Sequence, residues 1–294
     1  MLRLPRRFTR RHPPELRRRR AAYVLPTLFT AGNLFLGFLA ILKSLQGALL
    51  AASGALGSNP HFETAAKAIG VAVVLDGLDG RIARMTHTVS DFGRELDSLA
   101  DAITFGLAPA LLALVWGVQF AAAGSPLPAD HLHRLGYFVA FLYLLCGAAR
   151  LARFNIQVNP VPKNPGRPDR KYFVGLPIPG AAALIAAVVY AGDSVPLQSW
   201  PLALGWVALL ALLSFLMVST WRYRSFKDLH LLRPRSPLTV VLWGSLIYLL
   251  WYYSQPVLLG LAVLYVGSGL AVRAGGLLRR WFRPAPPQAE REVG

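Results

Sequence analysis

The sequence predicts an all-α, polytopic transmembrane helix bundle of about eight spans. Three observations carry that expectation. Hydrophobic residues make up 54% of the chain and charged residues only 15%, where a soluble domain averages about a quarter charged. The apolar residues arrive in runs long enough to cross a hydrocarbon layer of about 30 Å at about 1.5 Å per residue. Basic residues crowd into every second connection between those runs.

The runs fall near Tyr23–Leu45, Thr64–Arg84, Phe92–Val118, Leu135–Phe154, Leu176–Gly192, Pro201–Thr220, Pro237–Gln255 and Pro256–Val272. The last two are parted only by the "SQP" stretch, which reads as a tight hairpin turn. Arginines fill the N-terminal segment, with Arg17 to Arg20 in an unbroken row. The first connection, "QGALLAASGALGSNPHFE", has no Lys or Arg, and the second has Arg81, Arg84 and Arg94 at its edges. The third carries only Arg134, and "RLARFNIQVNPVPKNPGRPDRKYF" after it is rich in basic residues. "DSVPLQS" has none, "WRYRSFKDLHLLRPRS" is basic again, and the C-terminal tail holds Arg273, Arg279, Arg280, Arg283 and Arg291. Under the positive-inside rule this alternation puts both termini in the cytoplasm. Removing any one span would break it.

A net charge of +17 raises nucleic-acid binding, but short basic segments between apolar runs fit an anionic membrane surface instead. The expectation is a membrane-lipid partner and no nucleic acid. The first 23 residues are rich in Arg and Pro and do not read as a cleaved signal peptide. The first twenty read either as a basic interfacial helix, broken into two pieces by "HPPE", or as a disordered positive tail. The terminal "RPAPPQAEREVG" reads as disordered. Cys146 is the only cysteine, so no intramolecular disulfide is possible. His131 and His133 fall in a predicted outer loop, and "LLWYYSQ" reads as an interfacial aromatic belt.

The acidic residues carry the chemistry. Of 14 in the chain, Asp76, Asp79, Asp91, Glu95, Asp97 and Asp101 share one window bounded by apolar runs. Asp76 and Asp79 are three apart near the cytoplasmic end of the second span. Asp97 and Asp101 are four apart near the cytoplasmic start of the third. Both spacings share a helix face, so two neighbouring antiparallel helices can aim four carboxylates at one point. Each would cost about 2.5–3.5 kcal/mol at a helix centre, less near an end. Protons or cations must neutralise the remainder. Hard divalent ions suit an all-oxygen site, and two of them would balance four carboxylates and clamp a phosphoryl transfer. The alternative pairs these acids with Arg81, Arg84 and Arg94. Asp91 and Glu95 lack the spacing and read as loop and surface charges. Gly80, Ala83 and Gly93 line the same edge, which suits either the close approach of a flat ring or diphosphate, or tight helix packing. No Walker lysine motif is present.

Asp76-x-x-Asp79-Gly80-x-x-Ala83-Arg84, eight residues, then Gly93-x-x-x-Asp97-x-x-x-Asp101 resembles the signature of the CDP-alcohol phosphatidyltransferase family. "LFTAGNLFLGFLAI", "SDFGRELDSLADAITFGLAPA", "ARLARFN", "FVGLPIPGAAA" and "MVSTWRYRSFK" are similar to its integral-membrane phosphatidylserine synthase type, over roughly residues 23 to 230. Pro26-Thr27 departs from the Pro-Asn more often found there. The resemblance implies transfer of a phosphatidyl group from CDP-diacylglycerol to the hydroxyl of L-serine, with Mg²⁺ or Mn²⁺ as cofactor, CMP as the other product, and a homodimer. It implies Asp76, Asp79 and Asp97 as metal ligands, Asp101 as base and metal ligand, and Gly80, Ala83, Arg84 and Gly93 at the CDP-diacylglycerol. It also implies a division of the chain. Residues 1–22 form a basic cytoplasmic or interfacial segment, 23–220 a catalytic domain of six helices and 221–236 a basic cytoplasmic loop. Residues 237–272 add two helices, and 273–294 form a disordered cytoplasmic tail.

A serine carboxylate wants a cation. Arg150 and Arg153, three apart at the cytoplasmic end of the fourth span, suit it, and Lys227 in "RYRSFKD" is a further candidate. Snorkelling is the plainer reading of both arginines. Glycerol phosphate or inositol phosphate would also attract them, so a sibling transferase with another acceptor, choline included, is the alternative within the family. The alternative from another class is a transporter with a carboxylate relay, although transporters place their sites near the bilayer midplane.

Overall fold

A computed structural model describes residues 14–86, 91–121, 129–158, 172–224 and 237–281, with side chains over 28–78, 92–121, 130–156, 175–221 and 240–271 and at 273. Helices form at all eight expected segments. They are α1 (Pro14–Ala52), α2 (Pro60–Thr86), α3 (Asp91–Asp101) continuing through a π-helical turn (Ala102–Leu107) into α4 (Ala108–Gly117), α5 (Ala129–Val158), α6 (Ile178–Ala191), α7 (Trp200–Val218), α8 (Pro237–Tyr252) and α9 (Ser254–Trp281). Among the described residues, five stretches are long and apolar enough to cross a membrane: Leu28–Ala52, Phe92–Gly117, Asp130–Ile156, Trp200–Val218 and Ser254–Ala271. Together with the shorter apolar helices α6 and α8, they make an integral membrane bundle. Phe138 and Trp251 stand out from it, 61% and 81% exposed, as lipid-facing side chains do.

The helices differ from the sequence expectation at several ends. α1 opens at Pro14, inside "HPPE", and runs unbroken through Arg17 to Arg20 into the first span. Proline in the first turn lacks only an N–H that has no helical partner there. α1 therefore runs about 58 Å at about 1.5 Å per residue, nearly twice the hydrocarbon thickness. Residues 1–13 of the basic segment lie outside the described residues. α5 begins at Ala129, so His131 and His133 sit on its first turns rather than in a loop. His133 Nε2 lies 3.3 Å from the Gln119 carbonyl. Only Tyr253 separates α8 from α9. Asn59 caps α2: its Oδ1 accepts from the His61 amide at 3.1 Å, and its Nδ2 donates to the Gly47 carbonyl at 2.9 Å.

The core is shared by α2, α4, α5, α6 and α7, with Phe62, Phe105, Tyr143, Ile178 and Ile185 fully buried. Trp116 and Trp206 meet edge to face at 5.1 Å, and Trp206 Nε1 donates to the Ala113 carbonyl. α1 packs along α2, α5 along α7, and α6 against both α2 and α9. At the end where α2 stops and α3 begins, a short antiparallel ladder joins the chain before α6 to the chain after α7. Its strands are β1 (Tyr172–Val174) and β2 (Arg222–Arg224), with Phe173 opposite Tyr223. Too short to show as a strand period, it leaves the all-α class unchanged. Gly175 closes it at φ +79°, where a Cβ would lie 2.6 Å from the Met217 carbonyl oxygen. The Gly175 and Leu176 amides donate to the carbonyls of Trp221 and Leu216. This fixes the start of α6 on the end of α7.

Candidate active site

Asp76 lies in the C-terminal half of α2, and Asp97 and Asp101 on the last turns of α3. One carboxylate oxygen from each lies within 4.8 Å of the other two. All three side chains are half-buried. Three like charges this close raise one another's cost of ionisation, and an added cation relieves it. The donors are hard oxygens only, on two helices, at a separation that one small ion can bridge. That set fits a hard divalent cation.

The turn that presents Asp101 is not plain α-helix. The π-helical turn starts at the next residue, and such turns frequently accompany functional sites. Two neighbours hold it. Thr104 Oγ1 donates to the Asn33 carbonyl of α1 at 3.1 Å, and the buried Tyr143 hydroxyl of α5 donates to the Phe105 carbonyl at 3.1 Å. Gly37, one turn beyond Asn33, allows the approach, since a Cβ there would overlap Thr104 Oγ1. Asn33 itself is only 3% exposed. Its Nδ2 points to Asp101 Oδ1 at 3.4 Å, a long contact that still orients the carboxylate. The opposite amide orientation would aim oxygen at oxygen.

On the other side of α3, Asn155 Nδ2 donates to Ser98 Oγ at 2.9 Å, tying α3 to α5 beside Asp97. Arg150 lies half-buried on the same helix. The Asp101 carboxylate lies near enough to act on its guanidinium. Arg150 Nε is buried without a hydrogen-bond partner among the described residues. Arg153, three residues on, is exposed, and Gly93 sits half-buried on the first turn of α3, four residues before Asp97. Asp79, Gly80, Ala83 and Arg84 belong to α2, but their side chains lie outside the described ones. Lys227 lies outside the described residues altogether.

The structure therefore brings together Asp76, Asp97, Asp101 and Arg150. It adds Asn33, Ser98, Tyr143 and Asn155, to which the sequence reading assigns no role. The signal for them was a polar side chain inside an apolar run, which membranes tolerate at a cost and usually for a reason.

Residues 23–218 match the sequence profile of the CDP-alcohol phosphatidyltransferases. The chain belongs to that family. The match covers α1 from Tyr23 to the last residue of α7, so α8 and α9 extend beyond the CDP-alcohol phosphatidyltransferase region. The chain is 34% identical over 244 residues to a CDP-diacylglycerol–serine O-phosphatidyltransferase of Helicobacter pylori, covering 83% of this chain and 89% of that one. It is 34% identical over 203 residues to the enzyme of the same name from Bacillus subtilis, covering 69% and 91%. It is 32% identical over 201 residues to the archaetidylserine synthase of Methanothermobacter thermautotrophicus, covering 68% and 69%.

Proposed function

We propose that this protein transfers the phosphatidyl group of CDP-diacylglycerol to the hydroxyl of L-serine, releasing phosphatidylserine and CMP. The convergence of Asp76, Asp97 and Asp101 from two helices carries this reading. Similarity to enzymes named for serine transfer supports the acceptor. The lipid tails stay in the bilayer while the head group meets serine at the cytoplasmic interface. Both termini and the site face the cytoplasm, and the protein works as a homodimer.

Serine oxygen is a poor nucleophile until its proton is removed, and removal during attack is the work of a positioned base. Asp101 takes that proton, with the Asn33 amide orienting its carboxylate. Arg150 binds the acceptor carboxylate beside Asp101, with Arg153 and Lys227 as further candidates for that carboxylate or a phosphate. Gly80, Ala83, Arg84 and Gly93 receive the nucleotide and diphosphate. Asp76, Asp79, Asp97 and Asp101 would hold two Mg²⁺ or Mn²⁺ ions. When bound, these ions supply charge stabilisation to the diphosphate and to the attacking and leaving oxygens.

Purified protein with CDP-diacylglycerol, Mn²⁺ and labelled serine yields labelled phosphatidylserine and stoichiometric CMP on this account. Transfer only to glycerol phosphate, inositol phosphate or choline would replace serine as acceptor. Absence of CMP with every acceptor would favour transport.

A further inference from the structure

Among the described residues, two asparagines are buried in the bundle, Asn33 at 3% exposed and Asn59 at 0%. Asn59 uses both ends of its amide, since Oδ1 accepts from the His61 amide and Nδ2 donates to the Gly47 carbonyl. Asn33 uses one end. Its Nδ2 points to Asp101 Oδ1 at 3.4 Å, while its Oδ1 is buried with no hydrogen-bond partner. A buried acceptor left unmet costs about 1–3 kcal/mol, and such a group in a native fold calls for a reason. The backbone at Asn33 is held in place. Its carbonyl accepts from Thr104 Oγ1, and Gly37 lets α1 press against Thr104.

We propose that Asn33 Oδ1 accepts a hydrogen bond from the ammonium group of the acceptor, so that Asn33 selects an amino alcohol. The inference rests on the serine reading above. In the amide, Oδ1 lies two bonds from Nδ2, the atom that points to Asp101. In serine, the ammonium nitrogen lies three bonds from the hydroxyl oxygen. A hydroxyl engaged by Asp101 therefore brings its ammonium within reach of Asn33 Oδ1. The serine carboxylate only accepts, so the ammonium is the donor left once the hydroxyl faces Asp101. Glycerol phosphate and inositol phosphate carry no ammonium, and the quaternary nitrogen of choline has no N–H. None of the three can make this charge-assisted bond. An amide also takes the bond without adding negative charge beside Asp76, Asp97 and Asp101, where a further carboxylate would raise the cost of ionisation.

The test compares serine with 3-hydroxypropanoate, which keeps the hydroxyl and carboxylate of serine and lacks only the amine. Full-length wild type, Asn33→Leu and Asn33→Ala are assayed in mixed micelles with CDP-diacylglycerol and Mn²⁺, with CMP release as the readout. The wild type should favour serine in kcat/KM by roughly ten- to hundredfold. Both variants should turn over each acceptor more slowly, because Asp101 loses its orienting contact. That loss is common to the two acceptors and cancels in their ratio. The ratio itself should fall by most of the wild-type factor, while saturable Mn²⁺ binding persists. Asn33→Ala removes the same oxygen without adding bulk, so the comparison stands if Asn33→Leu does not fold. A wild type indifferent to the amine overturns the proposal. So does loss of Mn²⁺ binding in a folded variant, which would make the amide oxygen a metal ligand instead. A wild type that makes no phosphatidylserine overturns the acceptor reading and this proposal with it. An active wild type whose preference for serine survives in a folded Asn33 variant overturns this proposal alone.

Discussion

Asp101 does two jobs in this account, as base and as ligand, and it is held for both. The Asn33 amide reaches one of its oxygens, and the π-helical turn begins at the next residue. Asp101→Asn should abolish CMP release while leaving thermal stability and elution volume in detergent close to wild type. Near-normal turnover would remove the base role. Tyr143→Phe leaves the Phe105 carbonyl of the π-helical turn without its hydroxyl donor. It should lower stability by about 1–2 kcal/mol, read as a lower melting temperature. The acids were legible in the sequence because their i,i+3 and i,i+4 spacings stand out against an apolar background. Asn33, Ser98 and Asn155 were not. Their partners lie 68 and 57 residues away in sequence, and no local spacing encodes such a pairing.

At the scale of the elements, hydrophobic run length located every helix, because lipid leaves few other ways to satisfy backbone groups. The interruption of the third span escaped that reading. A π-helical turn changes hydrogen-bond partners without a mark of its own in composition, and "AITFGL" reads as a continuation of the apolar α4 that follows it. Its cause lies partly on α1, where Gly37 leaves room for Thr104. Gly37→Val should force α1 and the turn apart. Overpacking of this kind costs about 1–3 kcal/mol, and the displaced Asp101 should lower kcat more than KM. An active, stable Gly37→Val variant would show that the close contact does not set the site. The β1–β2 ladder was equally hidden, since three residues are too few to display a strand period. Gly175 at its end is the position where φ and the carbonyl crowding both require glycine.

For the whole molecule, the proposed orientation rests on the alternation of basic and neutral connections in the sequence. The carboxylates come from the C-terminal half of α2 and the last turns of α3, and the proposed orientation directs them to the cytoplasm. In sealed inverted vesicles, transfer to externally added serine should proceed without permeabilisation. In right-side-out vesicles it should require permeabilisation. Equal activity in both would contradict the orientation. A homodimer predicts a protein mass of two chains by light scattering after subtraction of detergent.

The central claim is that acids from two helices share divalent ions, and Mn²⁺ binding tests it most directly without relying on turnover. Electron paramagnetic resonance titration of the purified protein should give two saturable Mn²⁺ sites. Asp97→Asn should lose that saturable binding while still melting as a folded protein. Undiminished Mn²⁺ binding in folded Asp97→Asn, or no saturable binding in the wild type, would contradict the account.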